Sequence, residues 1–253
     1  MFDNEFITYL NNNCFRTHMP YVYYKDNEPE LIFSRLINNT WRLYFYDKKT
    51  NDFVKINTKT EYYVNEYNPT IWVNKNNNLN MTYTYSYNDE KNLMFLENAK
   101  TLVSKRNNFI TIVSDLIATI TESYKIICDY FGHIKIYNKQ TEELIKILNI
   151  QEEYVPTCIC SVPGDENTII ISWNHGEGLQ KVAGSLIYNI QTDKAQDLFV
   201  LETNESPYKP CLDPYTNRLY YSIKLSAQFK DRQIAISDNW TLKPSKLIKV
   251  VEE

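Results

Sequence analysis

The chain has 253 residues, a hydrophobic content of 43% and a formal net charge of −4. This length allows one large domain or two small ones, with enough apolar side chains for a sizeable core. Lys and Arg are scattered, which excludes a nucleic-acid surface because phosphate binding needs concentrated positive charge.

We expect the start of the chain to carry no targeting signal. Residues 1–13 contain acidic and polar side chains where a signal peptide has a basic start and an apolar core. No apolar run approaches membrane-spanning length. We therefore expect a soluble protein without membrane insertion, in the cytoplasm or in a virion, with residues 1–19 as a strap or closing strand.

From residue 20 onward, short runs rich in Ile, Val, Tyr, Phe and Thr alternate with Asn, Asp, Pro and Lys. Trp41–Tyr46 and Thr168–Trp173 are examples. The three-and-four spacing of apolar residues that marks helices is nearly absent. The pattern predicts an all-β domain.

Three segments share one outline, in which a turn joins two apolar strands. Residues 43–56 read LYFYDKKTNDFVKI, residues 133–148 read HIKIYNKQTEELIKIL, and residues 185–201 read SLIYNIQTDKAQDLFVL. Their shared tyrosines, Tyr46, Tyr137 and Tyr188, are 91 and 51 positions apart, which fits a period near 45–50 when 91 is two units. Asp or Asn after the Tyr, and Thr three residues later, suit a tight turn. A weaker copy, SDNWT, begins at Ser237.

A second repeat marks the starts of the units. Glu66–Thr70 and Glu153–Thr157 both read Glu-Tyr-x-Pro-Thr, and Tyr208 begins a further Tyr-x-Pro. Proline suits the first residue of a strand, because there it removes no donor from the ladder. Strand hairpins repeated at this period are typical of a β-propeller. We predict one propeller over residues 20–253, with five four-stranded blades near 20–57, 66–104, 107–148, 153–203 and 207–251.

In outline the hairpins resemble those of WD-repeat propellers, although the chain has no Trp-Asp dipeptide. The Pro-led strands and the ending RQIAISDNW (232–240) also resemble the five-bladed furanosidases of arabinanase and levansucrase type. The resemblance spans nearly the whole chain as a pattern and assigns no family. It implies two carboxylates near the propeller axis, one as acid and one as nucleophile or base. The candidate catalytic residues are Glu153, Glu66 and Asp26, whereas Asp115 and Asp213 fall at far strand ends.

The loops that enter first strands and those that join second to third strands should share one face. Aromatic rings there would suit sugars or peptide side chains. The predicted binding-face residues are Tyr67, Tyr154, Tyr208, Trp173, His175, Glu177, His133 and His18. The competing interpretation is that Glu-Tyr-x-Pro only packs blades together, since a repeated motif usually serves the repeat.

The remaining motifs indicate neither a cofactor nor a metal site. Gly-rich phosphate loops, nucleophile elbows and zinc helix motifs are missing from the sequence. The three histidines have no spaced carboxylate partner, and the five cysteines have no disulfide spacing. We predict free, buried thiols in a reducing setting.

Two functional hypotheses follow from the propeller. The first is a non-enzymatic platform that binds a protein partner through its loop face, within a viral or cellular assembly. A viral or phage source is suggested by abundant Asn and Tyr with only five Gly, a composition typical of AT-rich genomes. The alternative is a glycan-binding or glycoside-hydrolysing propeller, which requires two carboxylates about 5–10 Å apart at the axis.

Overall fold

The chain folds as a five-bladed, all-β propeller, which confirms the predicted fold class. The computed structural model describes residues 2–58, 63–74, 76–88, 90–103, 109–114, 117–129, 132–176, 182–226 and 231–251. Asp115 and Glu177, which the sequence analysis singled out, lie outside these ranges.

Blades 1 and 2 are four-stranded antiparallel sheets in which sequence order is spatial order. Blade 1 consists of β1 (Thr17–Lys25), β2 (Glu28–Ile37), β3 (Thr40–Asp47) and β4 (Asp52–Lys55). Blade 2 consists of β5 (Asn65–Val73), β6 (Leu79–Tyr87), β7 (Glu90–Ala99) and β8 (Phe109–Ser114). Because β8 pairs with β7, its residues complete the second blade, whereas the predicted boundary at 107 placed them in the third.

The other three blades depart from a uniform count of four strands. Blades 3 and 4 each have four consecutive strands and gain a fifth from the end of the chain, whereas blade 5 has three within the described residues. Blade 3 contains β9 (Ile117–Ile120), β10 (Tyr124–Cys128), β11 (His133–Asn138) and β12 (Leu144–Ile150). Blade 4 contains β13 (Tyr154–Val162), β14 (Asp165–His175), β15 (Val182–Asn189) and β16 (Lys194–Val200). Blade 5 has only β17 (Tyr208–Asp213), β18 (Arg218–Lys224) and β19 (Arg232–Ser237) within the described residues.

The end of the chain corrects the predicted fifth blade. The strand β20 (Trp240–Pro244) pairs with β16 and becomes the fifth strand of blade 4. The strand β21 (Ile248–Val250) then pairs with β12 at the edge of blade 3. Trp240 and Leu242 pack on the apolar cluster of Leu198 and Leu219, between blades 4 and 5. This burial explains why residues 240–244 leave the blade to which sequence position assigned them. Leu247 and Ile248 likewise pack on a separate apolar cluster that includes Leu148 and Ile171.

The N-terminal segment covers the edge that β19 would otherwise expose. It forms a helix, α1 (Asn4–Asn13), not the closing strand that was one of the predicted forms. The Asp3 side chain caps the helix by accepting from the Phe6 N–H at 2.9 Å. Asn11 donates from Nδ2 to the Ile234 carbonyl of β19 at 2.8 Å. The helix thus covers a sheet edge whose free backbone groups could otherwise pair with a strand of another chain.

The repeated hairpins have the turn chemistry expected from their sequences. The Asp47 carboxylate accepts from the Lys49 N–H at 2.9 Å. Asn138 Oδ1 accepts from the N–H groups of residues 140 and 141, and Asn189 Oδ1 accepts from those of residues 191 and 192. All three turns join the third and fourth strands of their blades. The side-chain oxygen at the first turn position therefore supplies an acceptor for backbone N–H groups that the strands leave unpaired.

The core lies between the blades and is rich in β-branched residues and tyrosines. Tyr21, Tyr83, Tyr188 and Tyr220 are fully buried. All five cysteines are buried and free. Among the described residues, no helix has the length and apolar character needed to cross a membrane.

Candidate functional site

The propeller has two faces, which we call upper and lower. The upper face carries the segments that enter the first strand of each blade and the loops that join second to third strands. The lower face carries the loops that join first to second strands and third to fourth strands. The predicted binding face is the upper one.

Three of the predicted upper-face residues form one cluster on blade 4. The rings of Tyr154 and His175 stack at 4.5 Å, and Tyr154 meets Trp173 edge-on at 5.0 Å. His175 Nδ1 lies 3.1 Å from the Glu153 carbonyl oxygen. Gly184 lies against the Trp173 indole, so close that a Cβ at this position would come within 2.4 Å of the ring. Trp173 is 9% exposed, so most of this cluster packs the blade itself.

Three more predicted residues meet at the upper end of the propeller axis. The His18 ring stacks on Tyr208 with centroids 5.9 Å apart. Tyr67 and Tyr208 both contact the ammonium of Lys209, at 5.8 and 5.1 Å from their ring centroids. His133 lies away from both groups, on blade 3, with Nδ1 3.2 Å from Asp129 Oδ2.

The structure does not bring the three candidate catalytic carboxylates together. Glu66 is fully buried, 3.7 Å from the Arg42 guanidinium, and accepts from the Leu43 N–H at 3.2 Å. This geometry joins blade 1 to blade 2. The Glu153 side chain is 76% exposed beside His175 on the upper face. Asp26 lies in a lower-face loop, where it accepts from Asn77 Nδ2 at 2.8 Å.

A cavity of about 320 Å³ opens at the lower end of the axis, where the first strands of blades 2, 3 and 4 end. Its size falls at the lower end of the range for small-molecule sites. The floor is apolar and includes Tyr21, whose hydroxyl is 3.1 Å from Ser161 Oγ. The residues that line it are Tyr21, Ile71, Trp72, Val73, Asn74, Thr121, Glu122, Ser161, Val162, Gly164, Asp165 and Glu166.

Hydrogen bonds between blades fix the polar rim of this lower cavity. Trp72 Nε1 of blade 2 donates to Glu122 Oε2 of blade 3 at 2.8 Å. Ser123 of blade 3 donates to Glu166 Oε2 of blade 4 at 2.8 Å. Within blade 4, Asp165 Oδ1 accepts from the Asn167 N–H at 3.0 Å. A carboxylate has about four acceptor positions, so each of these groups retains acceptors for a bound molecule.

The rim depends on local backbone geometry. Gly164 has φ of +75°, which a residue with a side chain adopts only with strain. It turns the chain between β13 and β14 and thereby places Asp165 and Glu166 at the mouth of the cavity.

The Trp72 ring stacks parallel to the Phe95 ring, with the two ring centroids 6.0 Å apart.

Sequence reasoning missed this cavity because it followed the repeated motifs to the opposite face. The one available signal was Trp72, one of only four tryptophans, at the end of a Pro-led first strand. Metal binding has no support from the geometry, since no group of three or more His, Cys, Asp or Glu side chains is suitably placed in the described ranges.

No protein-family model and no curated protein matches the chain. Solved structures share its fold. The catalytic domain of a Coprinopsis cinerea GH62 α-L-arabinofuranosidase superposes with a TM-score of 0.51 at 10% identity, covering 89% of this chain and 91% of that one. An exo-β-1,3-galactanase from Clostridium thermocellum also gives 0.51 at 10% identity, covering 89% and 60%. TolB from Acinetobacter baumannii gives 0.51 at 15% identity, covering 92% and 55%, so the chain spans little more than half of that protein.

At these identities the likeness shows the fold alone. The arabinofuranosidase match supports the predicted resemblance to five-bladed furanosidase-type propellers, without assigning a family. It also corrects the first functional hypothesis. The arabinofuranosidase and the galactanase are both glycoside hydrolases, so the structures that share the fold favour the glycan alternative over a non-enzymatic platform for a protein partner.

Proposed function

We propose that the protein binds a carbohydrate in the lower cavity. The observation that supports this most is the combination of Trp72 with Glu122, Asp165 and Glu166 around one cavity at the propeller axis. A sugar ring has an apolar C–H face and a hydroxyl edge. An indole suits the first and charged oxygen acceptors suit the second. The fold likeness to glycoside hydrolases is consistent with this function.

The charge of the cavity indicates which sugars would bind. Three acidic side chains line it, and among the described residues the cation nearest to Trp72 is Lys139, whose Nζ lies 5.4 Å from the ring centroid, so acidic groups outnumber this cation three to one. Like charges placed together are unfavourable, whereas opposite charges attract. We therefore expect neutral or amino sugars to bind and uronic acids to be rejected.

Hydrolysis is the second candidate function. Glu122 comes from blade 3, whereas Asp165 and Glu166 come from blade 4, and all three line the same cavity. Glycoside hydrolysis uses two carboxylates on either side of the scissile bond, one as acid and one as nucleophile or base. In this scheme Glu122 would act opposite Asp165 or Glu166.

Binding is tested by screening the purified chain against an array of neutral, amino and acidic glycans. Trp72→Phe should weaken binding of the selected glycan about tenfold, because it removes both ring area and the donor that orients Glu122. Trp240→Phe is the matched control, since Trp240 lies at the edge of blade 4. The proposal fails if the wild type binds no glycan, or if Trp72→Phe binds as tightly as the control.

Hydrolysis is tested with aryl glycosides of the sugars that bind. Glu122→Gln should abolish turnover while retaining binding, because the amide keeps an acceptor oxygen and cannot transfer the proton. Glu152→Gln, on the exposed upper side, is the matched control. A wild type that binds the glycan without cleaving its glycosides would exclude hydrolysis and leave binding in place.

A further inference from the structure

A second polar cluster, which we call the upper axial cluster, surrounds the Tyr208 ring at the other end of the axis. Lys209 Nζ lies 5.1 Å from the ring centroid, and the Arg232 guanidinium carbon lies 4.6 Å from it. The His18 imidazole stacks on the same ring. Three nitrogen-bearing side chains from blades 1 and 5 therefore meet at one point.

Lys209 is a mostly buried cation that packs on two tyrosine rings. It is 7% exposed, and its backbone has φ of +48°, which directs it inward from the start of β17. Within the described ranges its ammonium contacts the faces of Tyr67 and Tyr208 and has neither a carboxylate nor a hydrogen-bond acceptor in reach. Its Nζ is not among the fully buried atoms, so the ammonium borders solvent while most of the side chain is removed from water. A cation in this position without a counter-ion is unfavourable, and aromatic faces offset only part of that cost.

His18 presents a second buried donor. Ser222 Oγ accepts from the Met19 N–H at 3.0 Å and lies 2.7 Å from His18 Nδ1. Among the described residues, His18 Nδ1 is the acceptor within reach of the Ser222 hydroxyl proton, and we assign the imidazole proton to Nε2 on that basis. His18 Nε2 is buried without a partner among the described residues. The Trp41 ring lies 5.5 Å from His18, and its Nε1 is likewise buried without a partner there.

The neighbouring thiol does not supply the missing negative charge. Cys158 Sγ donates to Asn68 Oδ1 at 2.7 Å. Asn68 Nδ2 donates to the Ile159 carbonyl at 3.2 Å, which fixes the amide with its oxygen toward the sulfur. Although a hydrogen bond from Cys160 and the charge of Lys209 lower the pKa of Cys158, this arrangement requires the protonated thiol.

We propose that the upper axial cluster binds one oxyanion, namely a carboxylate, phosphate or sulfate group. Lys209, His18 and Trp41 offer only donors, and at least one of them is positively charged. Water could satisfy the hydrogen bonds but could not balance the charge, whereas an oxyanion does both. A metal cation is excluded by the same charge. The site is independent of the acidic lower cavity and does not rest on carbohydrate binding there.

The test uses the whole chain and small anions. Melting temperature and titration calorimetry are measured with inorganic phosphate, sulfate, acetate and D-glucuronate, against chloride at equal ionic strength. At least one oxyanion should raise the melting temperature and bind saturably at one site. If glucuronate binds at least tenfold more tightly than acetate, the anion belongs to a sugar acid; if phosphate or sulfate binds most tightly, it is an inorganic group or its ester.

Lys209→Met should lose this binding by at least tenfold, whereas Lys243→Met should keep it. Lys243 is an exposed lysine whose Nζ also lies over an aromatic ring, 4.6 Å from the Phe199 centroid. If Lys209→Met does not fold, Lys209→Gln and His18→Asn provide the same comparison. A wild type that responds to no oxyanion beyond chloride, or a Lys209 variant that binds as the wild type does, would overturn the proposal. Neither result depends on Trp72, so the carbohydrate proposal is tested separately.

Discussion

Replacing Asn11 by Ala tests whether α1 closes the propeller by covering the open edge of blade 5. Asn11 Nδ2 donates to the Ile234 carbonyl at 2.8 Å, and Asn11 Oδ1 accepts from the Ile234 N–H at 3.4 Å. The N–H retains a second acceptor, Thr17 Oγ1 at 3.2 Å, whereas Asn11 is the side-chain donor to the carbonyl. The substitution therefore leaves one partly buried backbone acceptor without that donor.

An unsatisfied buried acceptor costs about 1–3 kcal/mol. We expect Asn11→Ala to lower the free energy of unfolding by that amount, which corresponds to a fall in melting temperature of about 2–4 °C per kcal/mol in a chain of this size. Asn13→Ala is the matched control, because Asn13 Nδ2 donates to the exposed Tyr9 carbonyl within the helix. The control should change stability by no more than about 0.5 kcal/mol.

Urea unfolding followed by fluorescence gives both values from the midpoint and slope. Equal midpoints for the two variants would refute the reasoning, because they would show that the edge of β19 does not depend on the helix for its hydrogen bond.

Three further predictions concern packing, a buried ion pair and pH. Gly184→Ala should destabilise the chain by about 1–3 kcal/mol in urea unfolding, because its Cβ would overlap the Trp173 ring; a change below 0.5 kcal/mol would contradict the contact. Arg42→Met should cost about 3–5 kcal/mol by leaving the Glu66 charge buried, and Arg42→Met with Glu66→Gln should cost less; an equally large loss in the double variant would argue against that cause. Burial, and then the charges of two neighbouring cations, hold the pKa of His18 well below 6.5. As the pH is lowered past about 6.5, the unfolded chain therefore takes up a proton at His18 before the folded chain does. The free energy of unfolding should then decrease by at most about 1.4 kcal/mol per pH unit. His18→Gln should reduce that acid sensitivity in melting curves from pH 7 to 5, and an unchanged pH profile would count against a neutral buried imidazole.

The fold could be predicted because its strongest signals are local. The Asx-type turns after Tyr46, Tyr137 and Tyr188 are fixed by residues within a few positions, so they recur visibly at the blade period. The destination of Trp240 could not be predicted in this way. It depends on an apolar gap between blades 4 and 5, which exists only after both have formed.

The candidate site was missed for a related reason. Trp72 and Glu122 meet through a 2.8 Å hydrogen bond across 50 positions of sequence, and neither belongs to a repeated motif. The Glu-Tyr-x-Pro repeat directed attention to Glu66, which the structure buries beside Arg42 as a link between blades. In this propeller the repeated residues mainly build the scaffold, and the lower cavity is built from residues that occur once.

The most direct test of carbohydrate binding in the lower cavity is an NMR titration that follows the four indole N–H signals. The chain has four tryptophans, and individual Trp→Phe variants assign their signals. Addition of the glycan selected by the array should shift the signal of Trp72, whose N–H is bonded to Glu122, and leave Trp41 and Trp173 unchanged. Shifts confined to Trp41 or Trp173 would place the sugar on the upper face and contradict the account.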